Sequence, residues 1–190
     1  MLTEQQIQLI NQKAEIFESC LEFANKYLIL PNIEVAFDDC PSQRFLSMNN
    51  AAESWLGSDG VGRICFNGPW FAERINEHQD DVEFFFFHEL RHLHQKLQIK
   101  FMSNGQKTRE PLKTVKVWDD NFKNYQRNEG DSTQTANVTQ EVEIDANAYG
   151  ILLEILYRNG KAPLLSLPQE AFEPANERLQ LYYDTLPEFN

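Results

Sequence analysis

Four consecutive phenylalanines, Phe84 to Phe87, constrain this chain more than any other stretch. On a helix, four successive residues point to every side of one turn. A helix that carries them must be enclosed by other elements. The run leads directly into His88-Glu89-Leu90-Arg91-His92, an HExxH pattern. Residues four apart lie one above the other on a helix, so His88 and His92 aim two imidazoles at one point. Two imidazoles, one further protein ligand and one open position make a catalytic zinc site. Glu89 projects beside that point, placed to act as general base on a water held there. Asp80, Asp81 and Glu83 crowd the first turn, where the helix dipole favours negative charge. The spacing predicts a helix from about Gln79 or Asp80 to about Leu97.

The third ligand comes from Gln140-Glu141-Val142-Glu143-Ile144-Asp145-Ala146-Asn147-Ala148-Tyr149-Gly150. Glu143 and Asn147 are four apart. Glu143 can bind the metal while Asn147 holds a histidine's second ring nitrogen and fixes its tautomer. Ala146 and Gly150 are small and let this helix approach the first one closely. Glu141 with Asp145 forms a competing pair, a carboxylate followed four residues later by an acid. Glu143 is preferred because alanine then falls three residues later, where close packing needs it. His94, two residues past His92, points to nearly the opposite side of the helix and is read as a surface or hydrogen-bonded residue. Arg91 reads as structural or solvated, with substrate holding as a minor alternative. Tyr149 is assigned to the core, and His78 has no partner that can be named.

His88, Glu89, His92, Glu143, Ala146 and Asn147 together resemble the gluzincin metallopeptidases. The pattern looks most like the ImmA/IrrE-type branch, whose HExxH helix is followed by an E-x-x-A-N/D helix. The resemblance covers roughly residues 82 to 157. It implies an α+β, zincin-like fold, mostly helical with a small mixed or antiparallel sheet, in which the HExxH helix packs against the ExxAN helix. It implies Zn2+ held by His88, His92 and Glu143, and hydrolysis of a peptide bond with Glu89 as general base. The implied partner is a peptide or protein substrate from a narrow range. An edge strand beside the cleft would pair with an extended substrate, and Gly62 to Asn67 is the candidate, with an ordinary structural strand as the equal alternative. Two features depart from the pattern. The interval between the motifs is longer than in many compact members, and Arg91 stands where a small residue, often glycine, is common. The competing functional reading is a catalytically weak zincin fold kept as a binding or regulatory module, phage- or mobile-element-associated. Metal-dependent hydrolysis of a non-peptide bond is a third.

A chain of 190 residues is most simply one domain, residues 1 to 190, with a polar insertion at about 102 to 136. The net charge of -12 and the lack of any lysine- or arginine-rich block disfavour nucleic acid as a partner. Acidity also disfavours anionic membranes. No stretch approaches the roughly 20 apolar residues needed to span a bilayer. The N-terminus has neither the basic region nor the apolar core of a signal peptide. Cys20, Cys40 and Cys65 are odd in number, widely spaced and without a CxxC pair, as expected of reduced thiols in a cytoplasmic protein.

Around these motifs the pattern predicts the remaining elements. Thr3 caps a helix from about 3 to 27, whose stripe includes Ile7, Ile10, Phe17 and Leu21. Pro31 precedes a strand at 33 to 38, and Asp38-Asp39-Cys40-Pro41 makes a turn. Ala51, Ala52, Trp55 and Leu56 suggest a short helical turn before the Gly57 to Gly60 break. A strand follows at 61 to 66, then a brief helix around Trp70, Phe71 and Ile75. Within the insertion, Leu112, Val115, Val117 or Trp118, Phe122 and Tyr125 recur at helical intervals over 111 to 126. Tyr125 packs there, with oxyanion stabilisation as its alternative. A mobile loop at 128 to 134, a helix from 135 to 158 closed by Gly160 and Pro163, a last helix from 168 to 183 and a tail at 187 to 190 complete the chain.

Overall fold

The computed structural model describes residues 2–39, 51–76 (backbone only for 74–76), 82–126, 138–161 and 167–185. Among these, six helices accompany one three-stranded mixed sheet, so the chain is α+β. Cys40 and Pro41, His78, the expected helix start at Gln79 or Asp80, the 128–134 loop, Pro163 and the 187–190 tail lie outside the described residues.

Helix α1, Glu4–Ala24, begins with a reciprocal capping box: Gln6 N–H donates to Thr3 Oγ1 at 3.2 Å, and Thr3 N–H donates to Gln6 Oε1 at 2.9 Å. Its buried face is Ile10, Phe17, Cys20 and Ala24. Ile7, counted in the expected stripe, is 45% exposed. The helix stops short of 27 because Lys26 and Tyr27 bond back only three residues, which tightens the last turn.

Strand β1, Ile33–Asp38, runs parallel to β3, Gly62–Asn67, while β2, Ala52–Leu56, runs antiparallel to β3 on its other side. The order β1-β3-β2 corrects two expectations. Of the two readings of Gly62 to Asn67, the edge falls and the structural strand holds: it is central, because its backbone groups are used on both sides. Residues 52–56 form a strand, not a helical turn. Asn67 N–H donates to Ala51 O at 2.9 Å and Gly57 N–H to Val61 O at 2.8 Å, closing a hairpin across Gly60, whose φ is +83°. Pairing with a buried neighbour overrides the local helix preference of the two alanines.

Helix α2, Gly68–Asn76, follows β3 directly. Helix α3, Val82–Ser103, is the centre of the molecule. Phe84, Phe86 and Phe87 are fully buried and Phe85 is half-buried, as the four-residue run demands. Phe86 stacks on Phe17 at 4.3 Å between centroids, and Phe17 stacks on Phe66 at 5.1 Å, tying α1, β3 and α3 into one aromatic core. The helix continues past the expected Leu97. Gln98 is buried with its Oε1 accepting Arg109 N–H at 2.7 Å, and Ile99 and Met102 pack on Val115 and Trp118. Gly105, with φ +68°, ends the run.

Helix α4 is Leu112–Lys123, with Val115 and Trp118 inward and Leu112 exposed. Helix α5, Glu141–Tyr157, starts later than expected, since 138–140 form a turn with Gln140 at the cap. Helix α6, Gln169–Thr185, covers α5. Cys20 and Cys65 are buried, and burial followed by the nearby Glu83 charge pushes the Cys20 thiol up to about 12. Among the described residues no helix is long and apolar enough to cross a membrane.

Helices α3 and α5 meet at Gly150. A Cβ there would lie 3.1 Å from the Phe84 ring and 3.3 Å from the His88 backbone nitrogen. Gly150→Val is therefore expected to cost about 1–3 kcal/mol by overpacking, read as a lower urea midpoint at unchanged slope. An unchanged midpoint would mean that the two helices have slack at this contact.

Candidate metal centre

Helix α3 presents His88 and His92 one turn apart, with ring centroids 4.6 Å from each other. Helix α5 presents Glu143 opposite them. His88 Nε2 lies 3.4 Å from Glu143 Oε2, and His92 Nε2 lies 3.3 Å from Glu143 Oε1. One ligand atom from each of the three residues lies within 4.8 Å of the others. Donors about 2.0–2.2 Å from a tetrahedral zinc ion sit about 3.3–3.6 Å from each other. The two nitrogen-to-carboxylate separations fall in or close to that range, so the three residues could hold a metal ion, and His2Glu is a donor set known for zinc.

The charges are mutually adapted. Burial pushes the Glu143 carboxyl up, but the charges and hydrogen bonds of His92 and His88 outweigh it and hold it well below the usual carboxylate range. Burial pushes His88 down, and the Glu143 contact outweighs that and raises it. Glu89 is buried next to the first histidine, and its charge acts on the His88 ring.

The outer partners follow a different plan from the expected one. His92 Nδ1 lies 2.8 Å from Gln95 Oε1, and Gln95 Nε2 donates to Val142 O at 3.1 Å and to Asp145 Oδ2 at 2.6 Å. Gln95 Oε1 accepts, so His92 donates from Nδ1, and its Nε2 is the nitrogen that faces Glu143. This orienting residue was missed in the sequence. Its signal was a glutamine three residues past His92, on the same face of the helix. Asn147 is buried and its carboxamide favours the protonated form of His88, yet His88 Nδ1 makes no hydrogen bond of ordinary geometry among the described residues.

Glu141 lies away from the histidines. Its carboxylate, 46% exposed, accepts from Arg178 of α6 at 2.7 Å. Asp145, its partner in the competing pair, accepts from Arg91 Nε at 2.8 Å and Nη2 at 3.2 Å, and also from Tyr182. Arg91 is therefore structural and not solvated. Its third nitrogen reaches Glu110 at 3.0 Å, and its guanidinium lies 4.0 Å from the Tyr149 ring centroid and 5.1 Å from that of Trp118. His94 is buried on the far side of α3. Its Nδ1 accepts Ile29 N–H at 3.0 Å and its Nε2 faces Glu110 at 3.3 Å. Burial is the main cause that lowers its pKa, consistent with a neutral ring.

Set against protein-family models, curated proteins and solved structures, the chain has no match.

The two shifts give the metal-free protein a pH signature. His88, raised from 6.5, contributes stability that is complete below about that pH and is lost as pH rises through the folded value. Glu143, lowered from 4.5, contributes above that pH and loses its share as pH falls through the folded value. Both are present between 4.5 and 6.5. Urea midpoints of chelator-treated protein from about pH 5 to 9 are expected to fall on the alkaline side, and His88→Gln to flatten that fall. Parallel profiles for the two proteins would show that the contact contributes no linkage.

Proposed function

We propose that the protein is a zinc-dependent peptidase in which His88, His92 and Glu143 hold the metal and Glu89 is the general base. One observation carries this reading: two imidazole nitrogens lie 3.3–3.4 Å from one carboxylate, and the buried Glu89 follows the first of the two histidines directly. A bound zinc ion would supply Lewis acidity, polarising a carbonyl and lowering the pKa of water towards neutrality. The remaining work falls to the chain. Glu89 takes a proton from the attacking water and returns it to the leaving amine. Gln95 accepts from His92 Nδ1 and so orients the ring with Nε2 towards the metal position. Phe84, one turn before His88 and fully buried with its ring 6.0 Å from that imidazole, excludes water from that side of the site.

The sheet supplies a place for an extended peptide. Since Ala51 and Gly57 bond towards β3, the alternate residues Ala52, Ser54 and Leu56 turn their backbone groups to the outer edge of β2. That edge lies beside α3: Lys96, one turn past His92, donates to Ser54 O at 2.5 Å. A peptide added as a strand there gains affinity from backbone bonds, without needing a particular sequence. The edge-strand role expected of residues 62–67 thus moves to β2 in this reading.

Glu89→Gln is expected to keep its zinc and to lose about 10²–10⁴-fold in cleavage of a fluorogenic peptide library. A variant that still cleaves at the wild-type rate would remove Glu89 from the mechanism. Wild type that holds zinc and cleaves nothing would shift the assignment to a binding or regulatory module.

A further inference from the structure

The Glu143 carboxylate has a neighbour besides the two histidines. Tyr125, just beyond α4, donates its O–H to Glu143 Oε1 at 2.5 Å. Short O–H···O⁻ bonds of this kind belong to the strong, charge-assisted class. The phenol is held in place from two directions. Gln126 N–H donates to Gln140 Oε1, and Gln140 Nε2 donates to Gln126 O, both at 3.0 Å. This reciprocal amide pair ties the chain after α4 to the cap of α5, three residues before Glu143. The Tyr125 ring also stacks on Phe122 at 6.3 Å and 24°, and Phe122 meets the His92 ring edge-on at 6.0 Å and 69°. A line of contacts therefore runs from His92 through Phe122 and Tyr125 to Glu143, joining one ligand helix to the other.

A phenol has a single proton to donate. Given to Glu143, it is not available to an oxyanion of substrate, so the geometry points to orientation of a ligand rather than to contact with the reacting atoms. We propose that Tyr125 is a positioning residue of the metal centre, its O–H occupying Oε1 so that Glu143 ligates through one oxygen. This rests on the metal-site reading above.

Tyr125→Phe keeps the ring and its stacking and removes only the O–H. Two readouts address the ligand itself: zinc affinity by competition with a chromophoric chelator, and the visible absorption of the cobalt-loaded protein. Tyr125→Phe is expected to weaken zinc binding about 10–100-fold, the usual cost of losing an outer partner of a ligand. Its cobalt bands are expected to lose intensity as the second carboxylate oxygen joins the coordination shell. Gln140→Ala, which releases the amide pair, is expected to move both readouts in the same direction. Unchanged affinity and spectrum in Tyr125→Phe, with only a lower melting temperature of the metal-free protein, would overturn the proposal and leave Tyr125 a packing residue. Wild type that takes up neither zinc nor cobalt would overturn the metal-site reading and this proposal with it.

Discussion

Arg91 and Asp145 meet inside the protein with side chains 2% and 1% exposed. There an unpaired charge would cost several kcal/mol, so neither helix can slide without stranding one of them. Arg91 directly precedes His92, and Asp145 follows Glu143 by two residues. The register of this pair is consequently the register of His92 against Glu143. Gln95 and Tyr182 add their donors to the same carboxylate, and Tyr149 and Trp118 flank the guanidinium, so the desolvated charges are met on every side. Burial favours the neutral forms, yet the Asp145 and Glu110 charges keep Arg91 firmly charged, and Arg91 keeps Asp145 below the usual carboxylate range. Arg91, which departs from the residue type common before the second histidine, thus has a partner in the second motif.

The same economy governs the acidic surplus. Part of the -12 charge lies inside instead of on a solvated surface. Asp145 answers Arg91, Glu143 answers two histidines, and Arg158 bridges Glu83 and Glu154 at 3.2 and 3.1 Å. Asp145, Glu83 and Glu154 each face a guanidinium from a different turn or element. The acids therefore fix helix positions as the phenylalanines do, with direction added to burial.

Much of this was legible before any coordinates. The Thr3 capping box, the enclosed helix at the phenylalanine run, the close approach at Gly150 and the meeting of His88, His92 and Glu143 all follow from local rules of period and size. What was not legible depends on partners distant in sequence. Ala52–Leu56 lacks the alternation that marks a strand, and every residue in it is half-buried, so only its pairing with Gly62–Asn67 identifies it. Strand order has no local signature at all, so residues 62–67 stood equally as an edge beside the cleft or an ordinary structural strand, and only the pairing on both sides makes them central. Gln95 and Asp145 acquire their roles only when α3 and α5 meet, because either alone is an ordinary polar residue on a helix.

The central claim is that these two helices build one metal site with Glu143, and not Glu141, as its third ligand. Metal content of the purified protein by elemental analysis tests it most directly, with wild type beside Glu143→Ala and Glu141→Ala. The account predicts about one zinc per chain in wild type and in Glu141→Ala, and its loss in Glu143→Ala. Wild type empty after zinc is supplied, or Glu143→Ala with its full complement, would contradict it.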